Sequence, residues 1–178
     1  MLTEQEVHKI FSWLPYRDNW SIDRNQVDDN IEVYYGDLIK ELTKNNLFDT
    51  YYSQDGGLSN YLEFICYPTG HDTYNDNAIL VCISLCAPIA TYGQTRFTKT
   101  TDSWGWGFIK PETIELISDS NLADIENEVI SIIKKYKLIL LDKEFVCRPL
   151  PNEVIEALKY ENHNDGKQYL HGLFQVTD

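Results

Sequence analysis

Recognisable catalytic motifs are absent from this chain. Its 178 residues contain no P-loop, no dinucleotide-binding glycine pattern, no HExxH sequence and no GxSxG sequence. The sequence therefore does not indicate any of the reactions that are associated with these motifs. The sequence predicts no catalytic residue and no cofactor.

Targeting and membrane-spanning segments are also not evident. The opening MLTEQEVHKIF has neither the basic region nor the apolar region of a signal peptide. The longest apolar run, residues 78–90, is interrupted by Ser84 and Pro88 and is too short to span a bilayer. We therefore expect a cytoplasmic protein without membrane contact, in which the four cysteines are reduced thiols.

The spacing of the cysteines does not indicate a metal site. Cys82 and Cys86 are four residues apart in a β-branched run. In a strand this spacing separates their Cα atoms by ~13 Å, which is too far for a disulfide. Because a zinc site usually needs four convergent ligands, no metal is predicted. We interpret the cysteines as small buried hydrophobic residues.

Basic residues are missing from two long stretches of the chain. There are 15 Lys and Arg against 28 Asp and Glu, which gives a net charge of −13. Residues 45–95 contain five acidic residues and no basic one, and residues 111–133 contain six acidic residues and no basic one. Such a field repels nucleic acid and attracts a basic protein. It is also what keeps an acidic protein soluble.

The apolar pattern predicts one α+β domain over residues 1–178. We expect an antiparallel or mixed sheet of about four to six strands covered by helices, which include residues 3–14 and 122–136. Thr3 and Glu6 form a capping-box pattern at the start of the first helix. Strands are predicted at residues 61–67, 79–87, 91–98, 138–141 and 169–176, with residues 103–109 as a short strand or an edge.

The segment from residue 31 to residue 46 is open to two interpretations. Its apolar residues fit one helical face, but residues 31–35 alone also fit a short strand. We favour strand-like or irregular structure to Tyr35 and a helix over residues 37–44. A turn is predicted at residues 55–57 and a short helix at residues 154–160.

The loop between the first two predicted strands is one candidate site. It contains His71, Asp72, Tyr74 and Asp76, a composition that is also typical of a solvated turn. A pair of Cys66 and His71 has the residue types of nucleophilic catalysis. The local signature that such catalysis would require is missing.

Aromatic residues supply the rest of the candidate binding set. The chain has twelve Tyr, seven Phe and four Trp, and we select Tyr74, Tyr92, Trp104 and Trp106 because they lie near the acidic stretches. Aromatic side chains beside charged ones are typical anchors of protein interfaces. Packing in the core is the favoured alternative, since large aromatic residues are mostly buried.

Four segments, TYGQTRF, SWGWGFIKPETIELI, LILLDKEFVCRPLP and YLHGLFQ, carry a family resemblance. Here the chain resembles small bacterial immunity proteins of polymorphic toxin systems, over about residues 60–176. The resemblance implies a cytoplasmic protein without enzymatic activity that binds and blocks a cognate toxin. It matches no defined site motif and therefore assigns no functional residue.

Two functions follow from these observations. The first is a protein-binding module, an immunity protein that neutralises a cognate toxin, for which the acidic field predicts a basic toxin as partner. The alternative is a small cytoplasmic enzyme or ligand-binding protein that uses the loop around His71. The structure should distinguish the two functions. A protein-binding module should have exposed aromatic side chains, whereas an enzyme or ligand-binding protein should have a deep pocket.

Overall fold

The structure is a computed structural model that describes residues 2–20, 27–53, 59–159 and 168–174. In chain order its elements are α1 (Glu4–Phe11), α2 (Val27–Thr43), β1 (Phe48–Ser53), β2 (Tyr61–Pro68), β3 (Tyr74–Ser84), β4 (Ile89–Lys99), β5 (Trp104–Trp106), α3 (Ala123–Lys135), β6 (Ile139–Leu140), α4 (Lys143–Val146), α5 (Asn152–Lys159) and α6 (Tyr169–Leu173). Short 3-10 turns at Pro111–Thr113 and Ser120–Leu122 precede α3. The predicted turn at residues 55–57 lies outside the described residues.

A mixed sheet of six strands forms the centre of the molecule. Strands β1 to β5 follow one another in antiparallel order, and β6 pairs in parallel with the first residues of β4. The predicted α+β domain with an antiparallel or mixed sheet is confirmed. The parallel pair is possible because the connection that contains α3 returns the chain to the end of the sheet at which β4 begins, as a crossover does.

Helices cover both faces of the sheet, and the side-chain alternation of β2 shows why. Leu62 and Phe64 enter a core that the sheet shares with α2 and α3, whereas Ile65 and Tyr67 enter a second core with α1 and α6. Successive strand residues point to opposite faces, so a strand that is apolar at every position must be covered on both. Strand β3 meets this condition from residue 78 to residue 83, where every residue is apolar and buried.

The capping box predicted at the start of α1 is confirmed. The backbone N–H of Glu6 donates to the Thr3 hydroxyl at 3.3 Å, and the Thr3 backbone N–H donates to the Glu6 carboxylate at 2.8 Å. The helix ends at Phe11, three residues before the predicted end, and Trp13 then adopts a positive φ of 57°.

Replacing Thr3 with alanine is expected to lower the free energy of unfolding by about 1 kcal/mol, because the helix loses its side-chain cap. Thr3→Ser keeps the hydroxyl and serves as the control, with stability close to that of the original chain. Urea denaturation measures both. Equal stability of the two variants would show that the cap does not stabilise this fold.

Two predicted strands are helices in the structure. Residues 31–35 belong to α2, where Ile31, Tyr35, Leu38 and Leu42 form one buried helical face against the sheet and α3. Burial of this face outweighs the local strand preference of β-branched and aromatic residues. The predicted strand over residues 169–176 is α6 as far as Leu173, and residues 175–176 lie outside the described part.

Gly172 explains the packing of α6. A Cβ atom at this position would lie 2.6 Å from Leu150 Cδ2 and 2.7 Å from Phe11 Cδ1. The glycine therefore lets α6 approach α1 closely, and the helix buries Leu170 and Leu173 at helical spacing. None of the described helices is both long and apolar enough to cross a membrane.

Candidate functional site

An aromatic patch lies on one face of the sheet, where β1 and β5 present their side chains. It consists of Tyr51, Trp104 and Trp106; the Tyr51 ring centroid is 5.1 Å from that of each tryptophan. Trp104 is 53% exposed and Tyr51 and Trp106 are half-buried. The patch forms because residues two apart on a strand share a face, which places both tryptophans on the same side of β5.

Buried groups hold the patch in position. The ring of Phe97, which is fully buried, lies 6.0 Å from Tyr51. The Trp106 indole N–H donates to Glu63 Oε2 at 3.1 Å, and the Tyr61 hydroxyl donates to Glu63 Oε1 at 3.1 Å. One carboxylate therefore fixes the orientation of Trp106, and the indole presents its ring rather than its N–H to the surface.

An acidic cleft of about 610 Å³ lies at the β2–β3 turn. One wall consists of Pro68, His71, Tyr74 and Asp76, and the other is the start of α3 with the turn before it, residues 119–124. Among the lining residues are three carboxylates and no lysine or arginine. The cleft therefore favours a cationic group over an anionic one.

Hydrogen bonds across the sheet hold the second wall. Gln94 Oε1 accepts from the backbone N–H groups of Ser118 at 2.9 Å and Asp119 at 3.2 Å. Asp119 accepts from the Asn77 side chain at 3.2 Å and from the Asn121 N–H at 3.0 Å. These bonds, with that from the backbone of Asn121 foremost, lower the pKa of Asp119 below its usual range, so this carboxylate is ionised at neutral pH.

A continuous series of ring contacts joins the patch to the cleft. Phe97 lies 5.0 Å from Tyr67, Tyr67 lies 5.1 Å from Tyr74, and Tyr74 lies 5.4 Å from His71. Lys99 of β4 fixes the β2–β3 turn, because its Nζ donates to the Tyr67 hydroxyl at 3.2 Å and to the His71 carbonyl at 3.0 Å. Lys99 is also the register partner of Tyr74 on β3 and of Trp104 on β5, so the patch and the cleft are neighbouring parts of one surface.

Tyr74 is expected to titrate about two pH units above an ordinary tyrosine. Burial, followed by the nearby Asp76 and Asp119 carboxylates, raises its pKa to about 12. Because the folded state holds this proton more tightly than the unfolded state, the contribution to stability is present below pH ~10 and is lost as the pH rises towards 12.

The spectrophotometric titration curve of the original chain, after subtraction of the curve of Tyr74→Phe, gives the ionisation of the Tyr74 phenol alone. Asp119→Asn removes one negative neighbour and should lower the Tyr74 pKa, whereas Glu153→Gln on α5 should leave it unchanged. An ordinary pKa of about 10 for Tyr74 in the folded protein would contradict the described position of its hydroxyl group.

The structure brings four of the six predicted binding residues onto this surface. Tyr74 and Asp76 line the cleft and Trp104 and Trp106 form the patch. Core packing, the favoured alternative for the tryptophans, does not apply to Trp104. Asp72 is exposed in the β2–β3 turn and is not one of the residues that line the cleft.

The structure does not place Tyr92 on this surface. Its side chain is on the opposite face of the sheet, is 5% exposed, and donates from its hydroxyl to Glu126 on α3 at 2.8 Å. Tyr92 therefore joins the sheet to a helix. Sequence reasoning did not select Tyr51, Asp119 or Asp124; the six-acid stretch over residues 111–133 was its only signal for the two acids.

The described residues do not assemble a metal site or the catalytic pair considered for this loop. The described residues include no group of His, Cys, Asp and Glu that could hold a metal ion. Burial raises the pKa of Cys66 to about 12, which keeps this thiol protonated, and its hydrogen-bond partner is Thr50, not His71. The Cys66–His71 pair considered for catalysis is therefore not formed.

The fold and surface define an α+β protein with one sheet between two helical layers and an aromatic and acidic surface at one end. No family model, curated protein or solved structure matches the chain. The resemblance to immunity proteins stays a prediction.

Proposed function

We propose that this chain is a protein-binding module, an immunity protein that binds and neutralises a cognate toxin. The observation that carries the proposal is Trp104, which is 53% exposed on a short edge strand and rests against Tyr51 beside the acidic cleft. Exposed tryptophan and tyrosine with charged residues around them are the residues that supply most of the energy of protein interfaces.

Charge complementarity supports a basic partner. The chain carries a net charge of −13, and the cleft next to the aromatic patch is lined by Asp76, Asp119 and Asp124. A lysine or arginine of the partner gains attraction from these carboxylates, and an arginine also stacks favourably on an exposed indole ring. A basic toxin can therefore bind both the acidic cleft and the aromatic patch.

Co-expression with the product of the adjacent gene tests the function. We expect this chain to rescue growth of cells that produce the neighbouring protein, and the two proteins to purify as one complex. Failure of both rescue and complex formation would overturn the proposal. Rescue without a complex would also overturn it, because neutralisation by binding requires the complex.

The acidic cleft is expected to speed association. Asp124→Asn removes one lining carboxylate and should lower the association rate, more strongly at low salt, because electrostatic steering is screened by salt. Glu153→Gln is the matched control, since Glu153 is also an exposed acid in the first turn of a helix. Equal rates for the two variants in stopped-flow measurements would exclude steering by the cleft.

A ligand-binding or enzymatic role of the His71 loop is the second candidate. The observation in its favour is the cleft volume of about 610 Å³, which lies within the range of small-molecule sites. Its test is His71→Ala, with thermal shift against cationic metabolites as the readout. A ligand that stabilises the original chain and not the variant would favour this role over the first.

A further inference from the structure

Strand β5 is the last strand on its side of the sheet, and its outer side is open. It pairs with β4 alone, through the residue pairs Phe97–Trp106, Thr98–Gly105 and Lys99–Trp104. Among the described residues, no hydrogen bond from another element reaches the backbone of residues 104–106 on the outer side. An unpaired edge of this kind is a template for another strand.

The hydrogen-bond alternation shows which backbone groups point outwards. The Thr100 N–H donates to the Ser103 carbonyl at 2.7 Å, so residues 100 and 103 are a hydrogen-bonded pair. In an antiparallel ladder, bonded and non-bonded pairs alternate. Gly105 is therefore bonded to Thr98, and the N–H and C=O groups of Trp104 and Trp106 point away from β4.

Gly105 leaves room beside this edge. A Cβ atom at Gly105 would have no neighbour within 4 Å, and its φ is not positive. The fold therefore requires neither the small size nor the conformational freedom of glycine here, although glycine weakens a strand. Glycine in a strand is typical of sites where another backbone approaches closely.

We infer that the protein partner docks an extended, basic segment along the outer edge of β5 and adds a seventh strand to the sheet. The outward groups of Trp104 and Trp106 would supply the main-chain hydrogen bonds, as in other cases of strand addition. Alternate side chains of the segment then lie over the two indole rings on one face and over Gly105 on the other. Gly105 and the residue opposite it would form a non-bonded pair, in which side chains are closest. Because Gly105 has no side chain, a large side chain of the segment fits there.

The negative charge of the chain favours a basic segment of the partner over a second copy of the chain at the edge of β5. Two copies would each bring a net charge of −13 to the contact, whereas a basic segment meets the exposed Asp102 next to β5 and can stack cations on Trp104. The inference rests on the proposed function, because it assigns the contact through which that partner is held.

Amide hydrogen exchange measured by NMR tests the inference on the complex with the adjacent gene's product. In the free chain, the Trp104 and Trp106 amides should exchange rapidly and the Gly105 amide should be protected by Thr98. In the complex, exchange at Trp104 and Trp106 should slow at least tenfold. A stable complex in which both amides exchange as fast as in the free chain overturns the strand addition but leaves the proposed function standing.

Trp104→Pro compared with Trp104→Ala gives an independent test. Both variants lose the indole, but only proline loses the outward N–H, and no hydrogen bond among the described residues depends on that N–H. We expect the proline variant to bind at least tenfold more weakly than the alanine variant at a similar melting temperature. Equal affinities of the two variants would contradict docking through main-chain hydrogen bonds. If the proline variant does not fold, the amide exchange measurement tests the inference instead.

Two further outcomes are also decisive. The absence of any complex overturns the proposed function and the inference together. Protection of the Trp104 and Trp106 amides in the chain alone, increasing with its concentration, would assign the edge to a second copy and overturn docking of a basic segment.

Discussion

Phe97→Ala is expected to lower the free energy of unfolding by about 3–5 kcal/mol, the usual cost of removing a fully buried phenylalanine. The Phe97 ring is 0% exposed and contacts Tyr51, Tyr67 and Tyr74. Its loss would leave a cavity under the aromatic patch and would also separate the patch from the cleft. Chemical denaturation followed by circular dichroism measures the change.

Phe97→Leu is the control, because it retains most of the buried volume while it removes the aromatic contacts. We expect a smaller loss than for alanine. If alanine cost less than about 1 kcal/mol, the ring would not be the packed centre of this end of the sheet. The described support of the patch would then be wrong.

Trp104→Ala is expected to weaken binding to the partner about 30-fold or more, which corresponds to about 2 kcal/mol, the threshold of an interface hot spot. The stability of the free chain should fall by about 1 kcal/mol at most, since the indole is 53% exposed and its described ring contact is with Tyr51. Isothermal titration calorimetry and urea denaturation separate the two effects.

Leu116→Ala is the matched control for Trp104→Ala. Leu116 is 56% exposed, so it is an equally accessible large apolar side chain, but it belongs neither to the patch nor to the cleft. Its replacement should leave the affinity unchanged. Similar losses for both variants would mean that exposed apolar area in general, and not the aromatic patch, holds the partner.

Periodicity predicts the central strands well because both of their faces are buried. In β2, Leu62 and Phe64 alternate with Ile65 and Tyr67 between two cores, and this burial leaves the pattern in the sequence. Strand-like or irregular structure was favoured for residues 31–35 because Ile31 and the aromatic residues after it favour strands locally. The helical spacing of the same residues was the alternative interpretation, and their burial against the sheet and α3 decides in its favour.

The site was only partly predictable, since its two walls meet through long-range contacts. Asn77 and Asp119 are 42 residues apart in the chain and are joined by a hydrogen bond. Tyr51 contacts Trp104 and Trp106 across one face of the sheet, although β1 and β5 stand at opposite ends of the strand order and do not pair. Composition indicates aromatic and acidic residues, but long-range packing decides which of them become neighbours.

The four tryptophans provide the most direct test of the docking surface. Trp104 and Trp106 lie in the patch, whereas Trp13 follows α1 and Trp20 donates from its indole to the Leu85 carbonyl. In an NMR titration with the adjacent gene's product, the indole N–H signals of Trp104 and Trp106 should shift while those of Trp13 and Trp20 stay in place. Shifts confined to Trp13 and Trp20 would place the partner elsewhere and contradict the account.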